Sequence, residues 1–120
     1  MNSRDIDLSD RKFQKDLNAG IAALVLLSVL SRAVEPMYGY QIAKLIKEEA
    51  STIKQGTLYP VLRALESSGL LESEVEPSMS GPPRRYYRIT EAGRDTLSRW
   101  LRIWQHTKAL VDSVAEGGES

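Results

Sequence analysis

Gly56-Thr57-Leu58-Tyr59-Pro60-Val61-Leu62-Arg63-Ala64-Leu65-Glu66-Ser67-Ser68-Gly69 is a short amphipathic segment with its punctuation in place. Leu58, Leu62 and Leu65 recur at helical spacing, with Val61 at the edge of the stripe. A helix is predicted over residues 57–68. Thr57 is its expected cap, and Pro60 falls in its first turn, where a missing N–H has no intrahelical partner. Gly69 is the expected stop. With the leucines turned inward, the opposite surface carries Gly56, Pro60, Arg63 and Ser67, with Tyr59 at its flank. The N-terminal end presents Lys54, Gln55 and Thr57.

Upstream, residues 52–56 read as a tight connection and residues 38–50 as another helix. Ile42, Leu45 and Ile46 make its apolar stripe, and Lys44, Lys47 and Glu48 face away. Before Glu35-Pro36, residues 11–31 read as a first helix capped by Ser9. Its apolar stripe is Phe13, Leu17, Ile21, Leu24 and Ser28, widened by Val25 and Leu27. Downstream, residues 70–76 and 85–90 alternate as strands. Pro77-Ser78-Met79-Ser80-Gly81-Pro82-Pro83 separates them, so a hairpin with a long tip is expected. Thr90 caps a last helix that runs to about Val114.

Helix, helix, tight turn, helix, hairpin, helix is the order of a winged helix-turn-helix. The expected class is mainly α with a small β-hairpin, an N-terminal helix and a C-terminal dimerisation helix. Residues 1–90 form the DNA-binding domain in this reading, 91–115 the dimerisation helix and 116–120 a flexible tail. The last helix carries Leu97, Trp100, Leu101, Trp104, Leu110 and Val111, too many apolar side chains for a lone solvated helix.

In such a fold the second helix of the pair enters the major groove. Its tip offers Lys54, Gln55 and Thr57 to phosphates or base edges, and Arg63 lies one to two turns on. Arg84 and Arg85 stand where a wing meets the backbone. With Tyr40 and Tyr59 these make the candidate contact set: Tyr40, Lys54, Gln55, Thr57, Tyr59, Arg63, Arg84 and Arg85. The competing structural explanation is that Arg85 and Arg88 pair across the hairpin with Glu72, Glu74 or Glu76.

Composition limits the other possibilities. The 120 residues are enough for one domain, with 42% hydrophobic and 27% charged side chains. There is no cysteine, which removes disulfides, thiolate zinc sites and a cysteine nucleophile. His106 is the single histidine and no acid/base pair stands out, so neither a metal, a cofactor nor an enzyme is expected. Asp5, Asp7 and Asp10 interrupt the N-terminus, against a secretory signal. The apolar run of residues 21–30 is shorter than the roughly 20 residues a bilayer needs. No membrane partner and a cytoplasmic location are expected. Sixteen basic and 16 acidic residues leave no net charge, so a DNA surface must come from clustering.

Met37-Tyr38-Gly39-Tyr40-Gln41-Ile42, the segment 56–66, Gly69-Leu70-Leu71 and Gly81-Pro82-Pro83-Arg84-Arg85-Tyr86-Tyr87-Arg88-Ile89-Thr90-Glu91-Ala92-Gly93 together resemble the PadR family of bacterial transcriptional regulators. The similarity runs in register from about Ile21 to Leu97. It implies a dimeric DNA-binding protein, usually a repressor. The single final helix resembles the short-tailed branch, some of whose members sense planar hydrophobic drugs at the dimer interface. Trp104 falls where those members stack a tryptophan on ligands, so Trp100 and Trp104 are the candidate effector contacts; a plain dimer seam is the alternative, favoured for Trp100. Tyr38 and Ile53-Lys54-Gln55 depart from the family pattern, and the latter alters the groove-facing tip. A winged-helix module that binds protein instead of DNA is the rival reading, and a small-molecule-binding protein without DNA contact is a third.

Overall fold

The computed structural model describes residues 8–49 and 52–117; Asp5, Asp7, Ala50 and the last three residues of the expected tail lie outside them. In chain order the elements are α1 (Asp10–Arg32), β1 (Met37–Tyr38), α2 (Gly39–Glu48), α3 (Gln55–Ser67), β2 (Leu71–Ser78), β3 (Gly81–Ile89) and α4 (Glu91–Ala115). This is a winged helix-turn-helix.

Leu26, Leu27, Ile42, Leu62 and Leu71 are fully buried, so α1, α2, α3 and the base of the hairpin share one core. The core side of α1 is not the stripe expected from its spacing. Ala22, Leu26, Leu27 and Leu30 are buried. Phe13 is 66% exposed, and Ile21, Leu24 and Ser28 line a surface groove. The second half of α1 is apolar all round, so periodicity could not tell which side the domain would take. The whole helix, unlike residues 21–30 alone, is long and apolar enough by length and composition to cross a membrane. Its packing against the rest of the domain makes it the central helix of the core.

The caps hold the corners. Ser9 Oγ accepts from Lys12 N–H at 3.2 Å. At the end of α3, Gly69 takes φ +80, Leu70 N–H donates to Leu65 C=O and Gly69 N–H to Glu66 C=O, both at 2.9 Å. This pair of bonds closes the helix on a left-handed glycine. Thr90 Oγ accepts from Gly93 N–H at 3.0 Å and donates to Gly69 C=O at 2.8 Å. One hydroxyl thus starts α4 and ties it to the end of α3.

Three sequence expectations are corrected. The cap of α3 is Lys54 rather than Thr57, so the helix begins two residues earlier and Pro60 lies in its second turn. There it removes a bond that the Gly56 carbonyl would otherwise accept. The hairpin tip is short: Ser78 pairs with Gly81, leaving Met79 and Ser80 as the turn, with a register irregularity around Pro77. A third strand, β1, pairs with β3 through Met37↔Tyr87 and Tyr38↔Tyr86, giving the order β1-β3-β2. Tyr38 therefore caps α2 from a strand, and Gln41 Oε1 accepts its N–H at 3.0 Å.

Candidate nucleic-acid interface

The expected contact residues separate into three neighbouring concavities around α3. Tyr40, Tyr59, Arg63, Arg84 and Arg85 share a groove of ≈ 580 Å³ between α3 and the wing. Tyr40, Lys54 and Gln55 line a second of ≈ 720 Å³ between α2 and the tip of α3, and Lys44 and Lys47 join them there. Thr57 lies on the other flank of α3, in a cup shared with α1.

Gly39 lets Tyr59 into the first groove. A Cβ on Gly39 would sit 2.5 Å from Tyr59 Cε1, so only glycine lets the ring lie against the start of α2. Gln55 Nε2 donates to Tyr59 Oη at 3.1 Å, one turn along α3. Tyr40 projects beside them, 58% exposed.

The two wing arginines differ. Arg84 stacks its guanidinium 4.4 Å above the Tyr38 ring centroid, and Tyr38 meets Tyr86 edge-on at 5.4 Å. This stack sets the direction of Arg84 while leaving its N–H groups unengaged by any carboxylate among the described residues. Arg85 points to the inner face of the sheet, where its Nη1 donates to Ser73 Oγ at 2.9 Å, and Ser73 Oγ donates to Glu66 Oε2 at 2.5 Å. Arg85 thus braces the wing against α3. Arg88, not Arg85, makes the cross-hairpin ion pairs, with Glu72 at 3.1 Å and Glu74 at 3.9 Å.

Arg63, Arg84 and Arg85 face a single carboxylate, Glu66, among the residues lining this groove. A protein of zero net charge therefore concentrates positive charge here. Tyr87 closes the groove floor at 6% exposure. Burial, then the Glu66 carboxylate, push its phenol above the ordinary tyrosine value, against the pull of Arg85 and Arg63.

Lys44, which the sequence reading turned outward to solvent, is indeed exposed, on the open face of α2 that lines this second concavity. It lies four residues after Tyr40 and so on the same helix face, a spacing that linked it to the site once Tyr40 was chosen. Tyr38 was missed because its role depends on β1.

Away from α3, Trp100 is partly buried against the core, whereas Trp104 is 37% exposed. Trp104 and Leu101 of α4 form one wall of a groove of ≈ 660 Å³, and Leu24 and Val25 of α1 and Leu45 of α2 form much of the rest.

Residues 26–99 match the model of the transcriptional regulator PadR-like family, a span that holds α2, α3, the wing and the start of α4. This chain is a member of the PadR-like family. The transcriptional regulator Rv3488 of Mycobacterium tuberculosis is 36% identical over 113 residues, 92% of each chain. A PadR family transcriptional regulator from Eggerthella lenta is 35% identical, with 92% of each chain covered and a TM-score of 0.74. A PadR family regulator from Clostridium difficile R20291 is 31% identical over 80% of this chain and 99% of its own, with a TM-score of 0.69. As a PadR-like protein the chain is a winged-helix transcriptional regulator and not an enzyme.

Proposed function

We propose that this PadR-like regulator represses transcription in the cytoplasm by binding a pseudo-palindromic operator as a homodimer. The observation that carries the reading is the convergence of Arg63 and Tyr59 from α3 with Arg84 from the wing on one groove of excess positive charge. In this reading α3 lies in the major groove with Gln55 and Arg63 at base edges. Lys54, Thr57 and Arg84 take phosphates, and Tyr40 and Tyr59 pack at the rim. Arg85 sits within reach of the same strand while it braces the wing.

Dimerisation is supported by apolar surface left open within one chain. Beyond Trp100 every residue of α4 is exposed, including Leu101, Ile103, Leu110, Val111 and Val114. Phe13 and Leu17 of α1 are likewise exposed. In this division residues 1–90 read DNA and residues 91–115 pair the subunits. Two recognition helices would then enter major grooves about one turn, roughly 34–36 Å, apart. A planar hydrophobic effector would enter the groove beside Trp104 and release the protein from DNA; Trp100 does not line that groove and packs against the core instead.

The test is a gel shift with the DNA upstream of the chain's own gene, at several salt concentrations. Arg63→Ala should lose about 1–3 kcal/mol and relax one operator position. Arg84→Ala should weaken all sequences alike and flatten the salt slope by about one unit per lost phosphate contact. A wild-type protein that shifts no duplex even at low salt would refute the reading in favour of a protein-binding winged helix.

A further inference from the structure

The first half of α1 runs past the core and over the helix-turn-helix. The face that carries Ala22 and Leu26 inward continues toward the N-terminus as Asn18, Lys15 and Arg11, at three- and four-residue steps. Asn18 Nδ2 donates to Thr52 Oγ at 3.0 Å, and Gln14 Nε2 donates to Asn18 Oδ1 at 2.9 Å. The Asn18–Thr52 bond ties this α1 face to the connection between α2 and α3, and the Gln14 bond holds the Asn18 amide. Between the two elements lies an open cup of ≈ 600 Å³ with Arg11, Lys15 and Lys54 around it.

The charge pattern of this cup is not that of an ordinary solvated helix face. No carboxylate lines it, and none of its three cations makes an ion pair among the described residues. Lys12, on the same helix but turned away from the cup, is matched by Asp16 at 2.6 Å. In a chain with equal numbers of acids and bases, three unmatched cations drawn from two elements form a separated positive centre. Thr52 and Thr57 also line the cup, and the Thr52 hydroxyl is held by the Asn18 amide. Lys54 caps α3 and Thr57 is in its first turn, so the cup sits beside the N-terminal end of that helix. Tyr59 and Arg63 face the wing from the opposite flank of α3. Phe13 and Leu17, the open apolar residues of α1, point away from the cup, so pairing of two chains through them would leave it accessible.

We propose that this cup binds a backbone phosphate of the DNA flanking the groove that α3 enters, making α1 a third DNA-contacting element beside α3 and the wing. The inference rests on the DNA-binding reading above. Phosphate chemistry suits three cations with no carboxylate beside them. The contact carries no base information, so it lengthens the footprint and deepens the salt dependence without altering sequence preference.

The experiment measures binding of a labelled mixed-sequence duplex, long enough for both half-sites, across a salt series. Wild type, Arg11→Gln/Lys15→Gln, Lys15→Arg and Arg84→Ala are compared, with circular dichroism melts to check folding. One phosphate per protomer predicts that the double variant lowers the salt slope by about two units for a dimer, while Lys15→Arg retains it. Ethylation interference should lose its outermost phosphate on each side in the double variant only. If Arg84→Ala flattens the slope and the double variant does not, the cup is overturned while DNA binding by α3 and the wing stands. If wild type binds no duplex, the DNA reading itself fails and takes the cup with it. A third outcome is separable by NMR: pyrophosphate shifting the Lys15 and Lys54 resonances, with an unaltered DNA slope in the double variant, would assign the cup to a free polyphosphate and overturn the proposal.

Discussion

Gly93 and Tyr87 show how single residues tie the wing to the helices. A Cβ on Gly93 would collide with the Leu70 carbonyl oxygen and lie 2.7 Å from Ile89 Cγ1. That carbonyl cannot swing aside freely, because it accepts Thr90 N–H at 3.1 Å. Gly93→Ala must therefore push α4 off the base of the wing. It should lower stability by about 1–3 kcal/mol, read as a lower urea midpoint at unchanged m-value. Tyr87 gives a pH signature. Its phenol is raised in the folded chain by burial and by Glu66, so the unfolded chain releases its proton first. Stability is therefore undiminished below about pH 10 and falls as pH rises from there through the folded value. Tyr87→Phe removes the ionisation, so its alkaline loss of stability, followed by urea unfolding, should be shallower than that of wild type. An equally steep loss would assign the alkaline transition to other groups.

At the scale of elements, α3 and α4 were legible from spacing because each mixes one apolar stripe with polar flanks. Gly69 and Thr90 were legible because their chemistry is local: a left-handed stop and a hydroxyl cap act within a few residues. The face of α1 was not, since a helix apolar all round gives no period to read. The wing tip was hidden by its own prolines. Pro77, Pro82 and Pro83 suggested a loop, yet β1 reaches only Tyr86 and Tyr87, so β3 has a free edge at Pro82 and Pro83. The other side of β3 is irregular there: Pro77 alone stands opposite Pro82 and Pro83 between the Glu76↔Arg84 and Ser78↔Gly81 pairs, so the prolines occupy an edge and a bulge, where a missing N–H is tolerated. The proposed contact residues were chosen by residue type and position on α3 and the wing; their division among three concavities depends on how α1, α2 and β1 pack around α3, which no local pattern encodes. The groove beside Trp104 yields an element-scale prediction. Planar cationic dyes should quench wild-type tryptophan fluorescence, and Trp104→Ala should lose dye binding while remaining dimeric by sedimentation. Equal dye affinity in Trp104→Ala would remove this groove as an effector site.

The molecule as a whole is more extended than its length requires. Its radius of gyration is 17.4 Å, against about 14 Å for a compact chain of this size. The far half of α4 accounts for much of this, standing clear of the core with its apolar side chains uncovered. Truncation after Arg99 removes that half together with Trp100, and keeps the fully buried core residues and Leu97. The truncated chain should sediment as a monomer and bind DNA far more weakly, because two linked half-sites multiply into one avidity. A truncated chain that stays dimeric would move the pairing surface elsewhere, with α1 the next candidate.

The double hydrogen bond of Thr90 has a mechanical consequence. It pins the start of α4 to the glycine that ends α3, so the two helices share one fixed point. The 25 residues of α4 span about 37 Å. On an arm of that length a tilt of about 5° displaces the far end by roughly 3 Å, the reach of one hydrogen bond. If two copies pair along α4 as proposed, a small wedge between those helices would be expected to shift the α3 helices relative to each other without parting the subunits.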